Sequence, residues 1–470
     1  MAICFAEKPS DAGYRRVKSS TIIAGGKQIT FQTICGDTIL HAADGEEMCA
    51  IFSFACVAAG KNRPVMMIFN GGPGSSSTWL QLGFLAPRLS QPGSDGMPPQ
   101  SGPYTLRDNP DCLLDVCDLL FYNPPGAGYS RLFDEKYASQ VFGDHGDADV
   151  AALFLRTWLK DNGRENAPLY ILGESFGSTR ASLLADRLSD LDLRAVLHVG
   201  PGYTGDCQIP RTLKDLVPCA ATRWYFDENP AKPPLEKVVA QARSFLVEEY
   251  LPALYLGTQL PQERRKAIAQ RLSELTGLPA QTYLENGLQV KRQEFRQQLL
   301  AHKGLKIGSF DTRFTLPADQ EGDPTLAVFE PFVEEGARLY YRELMGKGPV
   351  RELRGNSFND TDTFLWPFDA EEDMEGLMGN WYPMKKTVSA CVHDAWKARP
   401  NLRFFFATGC FDTVATVENT RFGVTHTQIP IENVVMKEYA SGHAVYADDA
   451  SRHALALDIR HFLMETEHKH

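Results

Sequence analysis

Residues Leu169–Asp186 read LYILGESFGSTRASLLAD. A short apolar run, Leu169–Leu172, breaks at Gly173-Glu174-Ser175-Phe176-Gly177, and a pattern with helical spacing follows. The glycines on either side of Ser175 let the backbone turn sharply enough to lift its hydroxyl clear of the strand end, where a substrate can reach it. The stretch therefore predicts a strand, a nucleophile elbow and a helix. The pentapeptide alone is weak evidence, because it recurs by chance in Gly-rich chains, so its surroundings decide.

Outward from the elbow, Val65–Phe69, Asp118–Tyr122 and Ala195–Val199 are apolar runs suited to strands covered on both faces, and Asp144–Asn162 reads as a helix. Strands alternating with helices imply a mostly parallel sheet, and a sheet bearing such an elbow implies the α/β-hydrolase fold. Ahead of it, Thr21–Ala24, Ile29–Ile34, Ile39–His41 and Ala50–Ala58 alternate like antiparallel strands. From about Tyr203 to Lys386, Pro-rich joints separate amphipathic helices near Leu235–Tyr250, Gln262–Leu275, Val290–His302 and Phe332–Met345. This region reads as an inserted, mainly helical cap. The strand pattern resumes at Leu402–Ala407 and Asn433–Tyr439, and a helix over Asp449–Glu465 ends the chain. The expected organisation is a core over 1–202, a cap over 203–386 and the rest of the core over 387–470.

Composition narrows the function classes. Apolar residues make up 43% and charged residues 23% of 470, as in an ordinary globular protein. A net charge of −11 argues against a nucleic-acid partner. No apolar run is long enough to span a membrane, and the first residues lack the apolar stretch of a signal peptide. The ten cysteines show neither Cys-x-x-Cys nor zinc spacing, so they are either buried thiols or disulfides. Without an export signal, free thiols in a reducing cytoplasm are the expectation, with a secreted or periplasmic mature form as the alternative. Asn359-Asp360-Thr361 matches a glycosylation triplet, which matters only in that second case. A monomer or a homodimer is expected.

A serine hydroxyl at neutral pH is a poor nucleophile and needs an imidazole base, itself oriented by a carboxylate. In this fold the acid and then the histidine follow later core strands. Leu402–Ala407 leads into Thr408-Gly409-Cys410-Phe411-Asp412, and Asn433–Tyr439 leads into Ala440-Ser441-Gly442-His443. Asp412 and His443 are the positional candidates. His426 is the rival, but it precedes the last strand at a helix end, where a surface role fits. Acyl transfer also needs donors for the oxyanion. The elbow supplies the N–H of Phe176, and Gly72, in the glycine-rich loop after Val65–Phe69, is the expected second donor. A phosphate cradle would want a lysine at the start of a following helix, and none is present. No metal or cofactor is called for.

Five blocks in order carry a resemblance: Asn70-Gly71-Gly72-Pro73-Gly74-Ser75-Ser76-Ser77, Pro124-Pro125-Gly126-Ala127-Gly128-Tyr129-Ser130, Gly173–Gly177, Gly409–Asp412 and Gly442-His443. Together they resemble the serine carboxypeptidase family, peptidase family S10. The resemblance implies a triad of Ser175, Asp412 and His443, and an oxyanion hole at Gly72 and Phe176. It also implies that Asn70 and Glu174 bind the free C-terminal carboxylate of a peptide. A Glu beside a substrate carboxylate repels it unless the two share a proton, so affinity should weaken as Glu174 ionises. The bland reading of Glu174 is support of the elbow.

The chain also departs from the family pattern. Phe84 stands where eukaryotic members have a second carboxylate-binding Glu, and Cys410 replaces the first Asp of a Gly-Asp-x-Asp pattern. Ser75 replaces a disulfide Cys, Ala444 replaces a Met of the leaving-group pocket, and Phe176 replaces a Tyr. These changes bear on specificity and leave the triad intact. The expected activity is release of a C-terminal residue from a peptide through an acyl-serine intermediate. A carboxypeptidase-like acyltransferase, an esterase and a non-catalytic binding protein on the same fold are the competing readings. Trp79, Trp366 and Trp381 could line the pocket, although core positions suit them as well.

Overall fold

The computed structural model describes residues 6–60, 62–202, 211–354 and 388–470. Its centre is one sheet, whose main strands are β1 (Arg15–Ala24), β2 (Lys27–His41), β3 (Glu47–Ala58), β4 (Val65–Phe69), β5 (Asp118–Tyr122), β6 (Leu169–Glu174), β7 (Leu193–Val199), β8 (Arg403–Gly409) and β9 (Val434–Tyr439). They lie in the order β1-β2-β3-β5-β4-β6-β7-β8-β9, and Arg131–Leu132 pairs with β3 off this path. β1, β2, β3 and β5 pair antiparallel. Every pair from β5 through β4 to β9 is parallel. Strand β6 sits mid-sheet between β4 and β7, so the elbow at its end points into the crevice above the parallel strands. This is the α/β-hydrolase fold.

The apolar runs read from the sequence are the strands buried on both faces: β4, β5 and β6 have no exposed residue. Helices α1 (Asp144–Asp161) and α2 (Gly177–Arg187) cover one side, where Phe154, Trp158 and Leu184 pack under Met67 and Ile171. On the other side, α3 (Pro324–Met345) and α4 (Asp449–Lys469) meet Phe54, Ile68 and Leu197 through Phe329, Tyr341, Ile459 and Phe462.

Some boundaries differ from the sequence reading. Ile29–Ile34 and Ile39–His41 are one continuous strand, because Gly36 continues the ladder to both neighbours. The region read as a mainly helical cap also contains a hairpin, Leu305–Ile307 with Thr315–Pro317. Its helices, among them Leu216–Tyr225, Leu235–Phe245 and Gln262–Thr276, share a separate apolar cluster around Val239, Phe245, Leu272 and Phe295. The helix expected at Phe332–Met345 begins eight residues earlier, at Pro324, and carries Pro331 in its interior. The described cysteines, at 35, 49, 56, 112, 117, 219, 391 and 410, are all buried. Cys4, Cys207, Asn359, Trp366 and Trp381 lie outside the described residues. Among the described residues no helix is long and apolar enough to cross a membrane.

Candidate active site

Ser175 has φ 57°, a left-handed conformation that a residue with a side chain rarely adopts. The surrounding bonds hold it there. Its N–H donates to the Val199 carbonyl at 3.0 Å and its carbonyl accepts from Gly202 N–H at 3.0 Å. The glycine-rich loop after β4 closes directly on this turn. A Cβ at Gly71 would lie 2.4 Å from the Phe176 nitrogen and 2.7 Å from the Glu174 carbonyl oxygen, so only glycine permits the approach. That approach brings Gly72 to the rim of the cavity that Ser175 lines.

Asp412 and His443 reach the same place from the ends of β8 and β9. Asp412 is fully buried, and its Oδ1 accepts the N–H groups of Val414 at 2.6 Å and Ala415 at 3.0 Å. Its Oδ2 lies 2.7 Å from His443 Nδ1, which orients the ring. Burial, the largest single influence on the imidazole, pushes its pKa down. The charge and hydrogen bond of Asp412, with the charge of Glu174, outweigh this and leave it above its ordinary value. Among the described residues His443 Nε2 is buried and makes no hydrogen bond, that to the Ser175 hydroxyl included. Both side chains nonetheless line one cavity of about 290 Å³. The segment Gly200-Pro201-Gly202 joins them: a Cβ at Gly200 would meet His443 Nδ1 at 3.1 Å, and one at Gly202 the Ser175 carbonyl at 3.0 Å. Active-site hydrogen bonds often tighten only when substrate is bound.

Asn70 and Glu174 are also brought together. Asn70 Nδ2 donates to Glu174 Oε2 at 2.7 Å, its Oδ1 accepts from Leu80 N–H at 3.0 Å, and its carbonyl accepts from Arg180 Nη1 at 2.8 Å. Burial pushes the Glu174 carboxyl up to about 7 against the lowering influence of His443, Tyr446 and Asn70. Near neutrality this carboxyl can therefore donate a hydrogen bond as well as accept one.

Three features were not read from the sequence. The hydroxyl of Tyr446 donates to Glu174 Oε2. The loop 309–313 threads between the two catalytic-candidate loops: Phe310 O accepts from His443 N–H at 2.7 Å, and Thr312 N–H donates to Phe411 O at 3.1 Å. At the end of this loop Arg313 spans Asp311 at 2.7 Å, Asp448 at 2.9 Å, Ser441 Oγ at 3.0 Å and Ala440 O at 3.0 Å. The block at Pro124–Ser130 acts as a brace, since Asn123, just ahead of it, accepts from Ser77 N–H and donates to Phe52 O. Trp79, which also suited a core position, is half-buried on the cavity wall. His426 caps a surface helix, its Nδ1 on Phe422 O, away from these residues. Among the described residues no group of three or more His, Cys, Asp or Glu is arranged to hold a metal ion.

Among solved structures, the chain is similar to a proline iminopeptidase of Mycobacterium smegmatis, at 13% identity over 96% of this chain and 98% of that one, with a TM-score of 0.37. It is similar to VinJ at 13% identity over 91% and 99%, TM-score 0.38. It is also similar to the peroxisomal α/β-hydrolase Lpx1 of Saccharomyces cerevisiae at 10% over 97% and 91%, TM-score 0.36. Likeness this distant carries neither mechanism nor substrate to this chain. The family model of the serine carboxypeptidases, peptidase family S10, matches residues 47–192, a stretch holding Asn70, Gly72, Glu174 and Ser175 and ending before Asp412 and His443. The protein is a serine hydrolase, and over residues 47–192 it is similar to the serine carboxypeptidase family.

Proposed function

We propose that this protein releases the C-terminal residue of a peptide through an acyl-Ser175 intermediate. Ser175 Oγ attacks the scissile carbonyl while His443 Nε2 takes its proton, and Asp412 fixes the ring by accepting from Nδ1. The N–H groups of Gly72 and Phe176 stabilise the oxyanion. Collapse of the tetrahedral adduct breaks the C–N bond, and the imidazolium returns its proton to the leaving amine. Water, deprotonated by the same nitrogen, then hydrolyses the ester. In this reading the described part of the inserted region, residues 211–354, belongs to the cap that shields the acyl-enzyme.

The observation that carries the reading is the buried Glu174 carboxyl, paired with Asn70 and adjacent in sequence to Ser175, with a pKa near 7. An esterase without carboxylate recognition has no use for a carboxyl held half-protonated there, whereas a peptide terminus can share its proton. The test compares a peptide acid with its C-terminal amide by mass spectrometry of the products. Faster cleavage of the acid is expected, and equal kcat/KM would overturn carboxylate recognition.

A further inference from the structure

The cavity that Ser175 and Glu174 line is also lined from α3 by Leu326, Glu330 and Glu334, at four-residue spacing. Both glutamates are half-buried and one helical turn apart. Among the described residues neither makes an ion pair or hydrogen bond. Arg338, the cation that Glu334 feels, pairs instead with Glu335 at 3.4 Å. Burial raises both carboxyls, and for Glu330 the repulsion of Glu334 and Asp323 adds to it. Two like charges partly desolvated with no cation paired to either weaken the fold unless something neutralises them. Trp79 lies on the same wall, edge-on to Phe329 at 4.7 Å, and offers part of an aromatic face. Two unpaired carboxylates and an indole suit an ammonium or guanidinium group. A separate observation marks the cavity as a ligand site: His443 Nε2, fully buried and without a partner, lines it too.

We propose that Glu330 and Glu334, with Trp79, form a subsite for a cationic group of the substrate. This rests on the hydrolase reading above and names its substrate class. The cation is either a Lys or Arg side chain beside the scissile bond or the free α-amine of a short peptide.

The test uses the full-length protein and matched peptides: Lys against norleucine and Arg against citrulline at each residue flanking the scissile bond, with the N-terminus free or acetylated. The expected result is a preference of roughly tenfold to a hundredfold for the cationic member, the range a charge-assisted hydrogen bond supplies. If the preference follows the side chain, a basic residue is the ligand; if it follows the free N-terminus, the amine is. In Glu330→Gln/Glu334→Gln the ratio should collapse towards one. Equal rates for charged and neutral members in the wild type, or a ratio that survives the double substitution, would overturn the subsite. The wild-type panel needs no variant to fold. Should no peptide be cleaved, binding of N-acetyl-arginine against N-acetyl-citrulline and of free against acetylated dipeptides decides it, and indifference to charge would overturn it. Fluorophosphonate labelling of Ser175 separates the two failures: labelling without charge discrimination sinks the subsite alone, whereas no labelling sinks the hydrolase reading.

Discussion

Tyr446 stacks on Phe84 with ring centroids 5.3 Å apart and planes 4° from parallel, and both rings are buried. Phe84 is the residue that stands where the family resemblance leads one to expect a second carboxylate-binding Glu. The stack seats the Tyr446 hydroxyl on Glu174, to which it donates. The Tyr446 phenol is itself pushed well up by burial and by Glu174, which keeps it protonated and donating. Tyr446→Phe removes a bond that favours ionised Glu174, so the Glu174 pKa should rise further. The loss of affinity for a peptide acid should move to higher pH by up to about one unit, equivalent to one ordinary hydrogen bond. The pH dependence of 1/KM checks this; a variant with an unmoved profile would reduce Tyr446 to packing.

The wild-type pH profile follows from two opposing titrations. His443 must be neutral to accept a proton, so activity falls as pH drops through its raised pKa. Glu174 must be protonated to share a hydrogen bond with a substrate carboxylate, so affinity for peptide acids falls as pH rises past about 7. A bell is expected for the acid and a single rise for the amide, with apparent pKa values belonging to the coupled pair. Measuring kcat/KM for both substrates across pH decides it; identical shapes would contradict the role given to Glu174.

Asp412→Asn should keep the fold and lower kcat about ten-thousandfold, because an amide at this position favours the wrong imidazole tautomer. KM should change little. Single-turnover kinetics with a chromogenic ester would show the loss in acylation.

Arg180 is fully buried against Asp147, with Nη2 to Oδ1 at 3.1 Å, and its Nη1 holds the Asn70 carbonyl. Phe69, Tyr122 and Phe176 surround the guanidinium. Arg180→Ala strands the Asp147 carboxylate in the core, at a cost of about 3–5 kcal/mol, measurable by urea unfolding. Arg180→Ala/Asp147→Ala should recover much of it, since no charge is then left unpaired.

The elbow and its partners were legible because their chemistry is local: a strand, a tight turn and a polar residue just past the strand end. Glu174 and Asn70 were legible as neighbours of those turns. The contributions of Tyr446, Arg313 and the loop 309–313 were not, because each acts through contacts with residues more than a hundred positions away or with no local pattern. The early turns of α3 were lost for a different reason. Pro331 removes an N–H and reads as a helix breaker, yet packing of Val328, Phe329 and Phe332 into the core overrides it. Glu330 and Leu326 went unread with it.

The central claim is that Ser175 is a nucleophile activated by His443 and Asp412. Reaction with a fluorophosphonate, followed by mass mapping of the peptide holding 169–186, tests it most directly. A single adduct on Ser175 is predicted, absent in Ser175→Ala and formed at least a thousandfold more slowly, by order of magnitude, in His443→Ala. An unmodified Ser175, or labelling whose rate is indifferent to His443, would contradict it.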